Sequence, residues 1–372
     1  MKIGIVLSSL KGGGSERLHI ELSKHLIESG IEVDFILLNA EKNQTGLHSL
    51  LPQSCNVVAI NQSRIRSAIF PLQETLNSGC YDFVMVAQWP LTIATYIAFL
   101  FSTSKAKIIF TEHTNLSASR EDELGVPLFF LKLSIYIFYR FADCIIAVSK
   151  GIRDDLYKLG VKNKNKISVI YNPVSQEGYT PQKIGPKDIS NLWKDDYPIK
   201  LLAVGSLKKQ KNFPNLIKAF SKLPNAKKSI SQLTILGDGI EKTEIQKLIL
   251  DLNLQDQIIL RGFQLDPRPW FDSADLFILS SSWEGFGNVL VEAMQSSVPI
   301  VSTDCQSGPR EILENGKYGV LVEPNNPGAL AEGILNALNK DHDKQALFQR
   351  SQEFTTKKAS NQYITILKKL AH

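Results

Sequence analysis

At 372 residues the chain exceeds one ordinary core and points to about two domains. With 43% hydrophobic and 21% charged residues it is globular rather than disordered. A formal net charge of +5 is too modest for a nucleic-acid binder, yet it is compatible with work at an anionic surface. Cys55, Cys80, Cys144 and Cys305 are scattered without CxxC or histidine spacing, which argues against a disulfide framework or a metal site. Residues 2–10 are too short for a secretory core and run into Lys11-Gly12-Gly13-Gly14 rather than a cleavage site. A cytoplasmic, reducing compartment is therefore expected.

In chain order, short apolar runs at residues 3–7, 33–38, 83–87, 108–110 and 145–148 read as buried strands. Leu18, Leu22, Leu26 and Ile27 recur between the first two at helical spacing, so strand, crossover helix and parallel strand repeat as in a doubly wound α/β domain. Residues 91–102 are apolar, but at 12 residues they fall short of the roughly 20 needed to span a bilayer. Residues 128–141 (LFFLKLSIYIFYRF) carry Lys132 and Arg140 at their edges. They read either as a half-buried surface helix or as an interfacial helix with aromatic rings toward lipid. Pro173, Pro181, Pro186 and Pro198, with Gly178 and Gly185, mark residues 173–199 as a linker. The alternation then restarts, with strands expected at 201–204, 233–236, 258–260, 276–279, 299–301 and 319–322. A last helix from about Ser351 ends in Ile364, Ile366, Leu367 and Leu370. The expected division is 1–172, the linker, 200–350, and a helix over 351–372. Two Rossmann-like halves facing a cleft would bind ligands beyond the strand C-termini.

Several loops at expected strand ends carry chemistry. Ser280-Ser281-Ser282-Trp283-Glu284-Gly285-Phe286-Gly287-Asn288 follows a buried strand and runs into the helical pattern Val289 to Met294. Strand, glycine loop and helix start aim backbone N–H groups and a positive helix end at an anion. Glu284 and Glu292 bracket that loop with carboxylates suited to hydroxyls, so a phosphorylated sugar fits; an ordinary turn capped by Asn288 is the plainer alternative. Gly12-Gly13-Gly14-Ser15-Glu16-Arg17 opens the first helix, but lacks the spacing of a dinucleotide fingerprint or a P-loop. His113, in Thr111-Glu112-His113-Thr114, stands at a strand end, where it would be structural, bond a sugar hydroxyl or shuttle a proton. Gly205-Ser206-Leu207-Lys208-Lys209-Gln210-Lys211 offers lysines to a diphosphate whose charge grows as a glycosidic bond breaks. Gly237-Asp238-Gly239 and Arg261-Gly262-Phe263 put small residues at successive strand ends, with Phe263 either near a base or in the core. Ser307-Gly308-Pro309-Arg310 is a further loop-to-helix start, with Arg310 holding the donor or organising the Glu284 loop.

EGFGNVLVEAM with its two glutamates eight apart, VGSLKKQKNF, ILGDG, LRGF, STDCQSGPREIL and GGGSER, occurring in that relation over nearly the whole chain, resemble the retaining glycosyltransferases of family 4. That resemblance implies the two-domain GT-B fold and a last helix that crosses back to the first domain. The GPREIL variant is similar to members that build bacterial surface polysaccharides and lipid-linked oligosaccharides, usually from UDP-sugars. The resemblance implies donor-sugar contacts from Glu284, backbone amides from Phe286, Gly287 and Asn288 with Val289 as a further donor contact, ribose binding by Glu292, and diphosphate binding by Lys211. It also implies phosphate approach at Gly13 and Gly14, and His113 near the transferred sugar. Gly205, Ser206, Gly237, Gly239 and Phe263 complete the expected donor contacts. Ser206 departs from the family's usual arginine, and a nearby lysine lacks that residue's bidentate fork. The implied reaction is metal-independent and uses no cofactor beyond the nucleotide-sugar substrate. It transfers a hexose or N-acetylhexosamine to a glycan or lipid-linked acceptor at the inner face of the cytoplasmic membrane. A sugar-nucleotide epimerase on the same fold, or an impaired donor-binding partner of a polysaccharide assembly complex, are the alternatives.

Overall fold

The computed structural model describes residues 1–10, 13–39, 47–181 and 185–371, which divide into two compact units. One unit is Met1–Val174 together with the stretch from Thr355, and the other is Ser175–Phe354. In the first, β1 (Lys2–Leu7), β2 (Glu32–Leu37), β3 (Asn56–Ala59), β4 (Phe83–Ala87), β5 (Lys107–Glu112), β6 (Cys144–Ala147) and β7 (Ile167–Val169) form a seven-stranded sheet in the order 3-2-1-4-5-6-7. Every pairing is parallel. The central strands are buried on both faces, β4 at all its positions, which is why their sequences are continuous apolar runs rather than alternating ones. β3 and β7 escape the sequence reading because they are short edge strands: Asn56 and Val57 are exposed, and β7 has three residues.

The second unit repeats the plan with β8 (Ile199–Val204), β9 (Ser231–Leu236), β10 (Ile258–Gly262), β11 (Leu276–Leu279), β12 (Ile300–Thr303) and β13 (Val320–Val322), ordered 10-9-8-11-12-13 and all parallel. Strand order reverses between β1 and β4 in one sheet and between β8 and β11 in the other. At such a reversal the loops leaving neighbouring strands diverge to opposite faces and leave a crevice at the strand C-termini. The Gly205–Lys211 turn leaves β8 and the serine–Glu284 loop leaves β11, so both flank that point.

The helix Thr356–Ala371 belongs with the first unit. Its Ala359, Tyr363 and Leu367, spaced at i, i+4 and i+8, are buried in the core formed with Leu22 and Leu26 of the helix Gly14–Glu28. Within residues 173–199, the helix Pro186–Leu192 leads into Trp193, which is buried edge-to-face on Trp270 and donates its indole N–H to Ser273 at 2.9 Å. The helix Leu128–Phe138 buries Leu131 and Ile135 but leaves Phe129, Phe130, Leu133, Tyr136 and Ile137 exposed, an inversion of the usual surface helix. Among the described residues no helix is long and apolar enough to cross a membrane.

Because Leu367 is fully buried, Leu367→Ala is expected to cost about 2–5 kcal/mol in urea denaturation. Exposed Lys368→Ala should change stability by less than about 0.5 kcal/mol.

Candidate active site

The second unit builds its site from strand ends pressed together. A Cβ on Gly205 would meet Lys211 Cε at 3.0 Å, so the bare backbone there is what lets the lysine stem lie against it. Gly237, at φ +143°, sits so close that a Cβ would lie 1.9 Å from the Gly205 carbonyl oxygen. The Lys211 turn ends at Asn212, whose side chain caps the helix Phe213–Ser221 by accepting the Asn215 N–H at 3.3 Å. Two bonds tie this turn to the serine run after β11: Ser280 Oγ donates to the Lys211 carbonyl at 2.8 Å and the Ser282 N–H to the Gln210 carbonyl at 2.8 Å.

That docking creates a contact the separate motifs do not reveal. Lys211 Nζ lies 2.6 Å from Glu284 Oε1, and Ser281 Oγ donates to the same oxygen at 2.6 Å. The side chains are only 14% and 6% exposed, so this is a buried, charge-assisted pair. The loop around it is fixed further by Thr303 Oγ1 donating to the Ser281 carbonyl at 2.6 Å and the Glu284 N–H to the Gln306 carbonyl at 3.1 Å. Gly287, at φ +99°, then starts the helix Asn288–Gln295, with Asn288 and Val289 in its first turn and half-buried Glu292 one turn on. Ser206 is exposed beside Gly205. Gly239 packs on Leu207, whose carbonyl would lie 2.4 Å from a Cβ there. Phe263 is 61% exposed, so it is no part of the core. Arg310 is paired with Asp304 through its guanidinium. Ser281, Thr303 and Gln306 build the site in roles that sequence reasoning missed; the Ser280–Ser282 run and the STDCQSGPREIL motif were their visible signals.

In the first unit, Gly13 and Gly14 are exposed at the start of the helix Gly14–Glu28, and the Glu16 carboxylate lies where a Gly13 Cβ would be. Lys11 and Gly12 of the same motif lie outside the described residues. His113 directly follows β5. The Thr111 hydroxyl donates to the Val86 carbonyl at 3.3 Å, so its oxygen accepts from His113 Nε2–H at 3.1 Å. His19 stands edge-to-face with His113, ring centroids 5.1 Å apart, and donates Nδ1–H to the Ser15 carbonyl at 2.7 Å. Each ring keeps one lone pair, on His113 Nδ1 and His19 Nε2, with no partner among the described residues. Burial holds His19 near about 4 and His113 well below its ordinary value, so both are neutral acceptors at pH 7. Glu112, fully buried, accepts from the Tyr139 hydroxyl and, at 3.5 Å, from the Trp89 N–H. Burial raises it to about 8.

Comparison with known proteins decides what this constellation belongs to. The family model "Glycosyltransferase Family 4" matches residues 12–177 and "Glycosyl transferases group 1" matches residues 186–354. The chain is similar to N-acetylgalactosamine-N,N'-diacetylbacillosaminyl-diphospho-undecaprenol 4-alpha-N-acetylgalactosaminyltransferase of Campylobacter jejuni, 30% identical over 353 residues that cover 93% of this chain and 92% of that protein. The chain belongs to glycosyltransferase family 4. It is also 26% identical to N-acetyl-alpha-D-glucosaminyl L-malate synthase of Bacillus anthracis, covering 98% and 96% of the two chains. Among solved structures, Anabaena HepE in complex with UDP and glucose matches with a TM-score of 0.80 at 22% identity, over 99% of this chain and 100% of that one. The fold of this glycosyltransferase is therefore GT-B.

Buried His19 and Glu112, with half-buried His113, make the glycosyltransferase's stability depend on pH in two opposing ways. His19 at about 4, against 6.5 unfolded, contributes stability that is present above 6.5 and lost as pH falls toward 4, and His113 acts in the same direction. Glu112 at about 8, against 4.5 unfolded, contributes stability that is complete below 4.5 and lost as pH rises through 8. Between 6.5 and 8 the Glu112 trend therefore stands alone among these three, worth roughly 2 kcal/mol. Glu112→Gln, which keeps a neutral group, is expected to remove that alkaline decline in urea unfolding at the two pH values.

Proposed function

We propose that this glycosyltransferase moves a hexose or N-acetylhexosamine, with retention of configuration, from a UDP-sugar to a glycan or lipid-linked acceptor in cell-surface polysaccharide or glycolipid biosynthesis. The observation that carries this reading is the buried Lys211–Glu284 pair beside the Gly287 helix start. A diphosphate needs positive charge and N–H donors, while a sugar needs a fixed acceptor for its hydroxyls. Lys211 and the amides of Phe286, Gly287 and Asn288 supply the first, and Glu284 the second. Glu292 takes the ribose hydroxyls, and neutral His113 accepts a hydroxyl of the transferred sugar. The Campylobacter relative is named for transfer of N-acetylgalactosamine to an undecaprenyl-diphosphate-linked glycan, and HepE was crystallised with UDP and glucose, both in keeping with this reading.

Retention is carried over from the family resemblance, and the engagement of Glu284 supports a route to it without a carboxylate nucleophile. Its Oε1 is engaged by both Lys211 and Ser281, which leaves it a poor nucleophile. We therefore assign same-face substitution: the bond from the anomeric carbon to the phosphate oxygen breaks, the bond to the acceptor oxygen forms, and the acceptor's proton passes to the departing phosphate. Lys211 supplies the charge that a metal ion would otherwise bring to that phosphate.

We place the acceptor at the inner face of the cytoplasmic membrane. The support is the outward face of the helix Leu128–Phe138, where Phe129 and Phe130 are 70% and 60% exposed. Arg140 stands over the Phe141 ring at 4.6 Å and Lys162 over Tyr136 at 5.0 Å, and residues 124–142 hold no acid. Exposed aromatic rings on a helix with cations over two neighbouring rings match an anionic lipid interface.

Lys211→Ala and Glu284→Ala are each expected to lower UDP release from UDP-sugars, with membrane extract as acceptor, by about 10²- to 10³-fold. Each also leaves a buried charge alone and should cost about 3–5 kcal/mol, whereas Lys211→Met with Glu284→Leu together should recover much of that stability without activity. Unchanged turnover in both single variants would sink the assignment. For the membrane placement, Phe129→Ser with Phe130→Ser is expected to abolish flotation with phosphatidylglycerol-containing vesicles while donor turnover on a soluble acceptor persists; flotation equal to wild type overturns it.

A further inference from the structure

In the Glu284 loop the order Gly285-Phe286-Gly287 leaves one side chain between two glycines. The glycines impose little steric preference of their own, so the direction in which the Phe286, Gly287 and Asn288 N–H groups point depends on how Phe286 is held. Phe286 is buried and gripped from two sides. Gly308, at φ +95°, lies so close that a Cβ would be 1.8 Å from the Phe286 carbonyl oxygen. The Phe354 ring meets the Phe286 ring edge-to-face with centroids 5.5 Å apart.

The two sides of this grip are joined by one residue. Arg350 places its guanidinium 4.9 Å from the Phe354 ring centroid. It donates from Nε to the Ile312 carbonyl at 3.0 Å and from Nη2 to the Glu311 carbonyl at 2.9 Å, and pairs through Nη1 with Glu314 at 2.9 Å. Ile312 and Glu311 end the short helical turn Pro309–Ile312 that Gly308 begins. The circuit is thus closed: Phe286 to Gly308, along that turn to Arg350, through Phe354, and back to Phe286. Phe354 is itself pinned by its carbonyl, which accepts the Ser175 N–H at 3.0 Å.

We propose that Arg350 and Phe354 are positioning residues for the donor loop, holding Phe286 so that the amides of Phe286, Gly287 and Asn288 stay aimed at the nucleotide diphosphate. This rests on the assignment of the diphosphate to that loop. Neither residue belongs to a glycine motif or touches Glu284 in sequence, and both act through Phe286.

UDP binding by calorimetry tests the idea on the full chain, alongside thermal unfolding. An edge-to-face ring contact is worth about 0.5–1.5 kcal/mol, so Phe354→Leu is expected to raise the UDP Kd about three- to tenfold while Phe354→Tyr stays within about twofold of wild type. Arg350→Met should weaken UDP in the same direction. A merely structural role would lower the unfolding temperature and leave the UDP affinity of the folded protein unchanged, and that result in both Phe354→Leu and Arg350→Met overturns the proposal. Should Phe354→Leu fail to fold, Arg350→Met decides. Failure of the wild-type chain to bind UDP would instead overturn the donor-site assignment on which the proposal stands.

Discussion

A lysine and a glutamate taken out of water together constrain everything around them. Removing two charges from solvent costs several kcal/mol per ion, and the attraction between them offsets this only when geometry is tight and the remaining polar atoms are satisfied. In the second unit Ser281 bonds the shared carboxylate oxygen, and the backbone on either side is anchored by Ser280, Ser282 and Thr303. The anchoring depends on β8 and β11 being neighbours in the sheet, because only then do the turns that leave them meet. The glycines at 205 and 237 serve the same end by letting backbone touch backbone where any side chain would hold the strand ends apart.

The first unit solves a different problem with neutral groups. His19 and His113 are stripped of charge by burial and committed by Ser15 and Thr111 to tautomers that leave acceptor lone pairs. Glu112, one residue from His113, is held as a neutral carboxyl against Tyr139. The two units thus differ in the charge state of their buried polar residues: an ion pair in the second, neutral acceptors in the first.

Much of this was legible before any coordinates. Continuous apolar runs announced the central strands because such strands are buried on both faces, and the glycine loops after them marked strand ends where backbone packs on backbone. The edge strands β3 and β7 were not legible, since an edge strand needs neither a long run nor a buried outer side. Lys211 and Glu284 were each singled out, yet their contact was not, because 73 residues separate them and only sheet order brings them together. The roles of Thr303 and Gln306 were invisible for the same reason. Phe263 illustrates the converse: its aromatic character suited core or ligand equally, and exposure alone removed it from the core.

The sequence by itself determined the α/β alternation, the doubling of the fold, the family and the positions of the glycine loops, because each is written in local pattern: apolar run length, glycine at a strand end, spacing within a helix. Only the tertiary structure decided which charges are paired, which histidine lone pairs are left over, and which distant side chains pack on the Glu284 loop. Those depend on burial and on contacts between strand ends far apart in the chain, and electrostatics in a protein is set by its surroundings rather than by residue type.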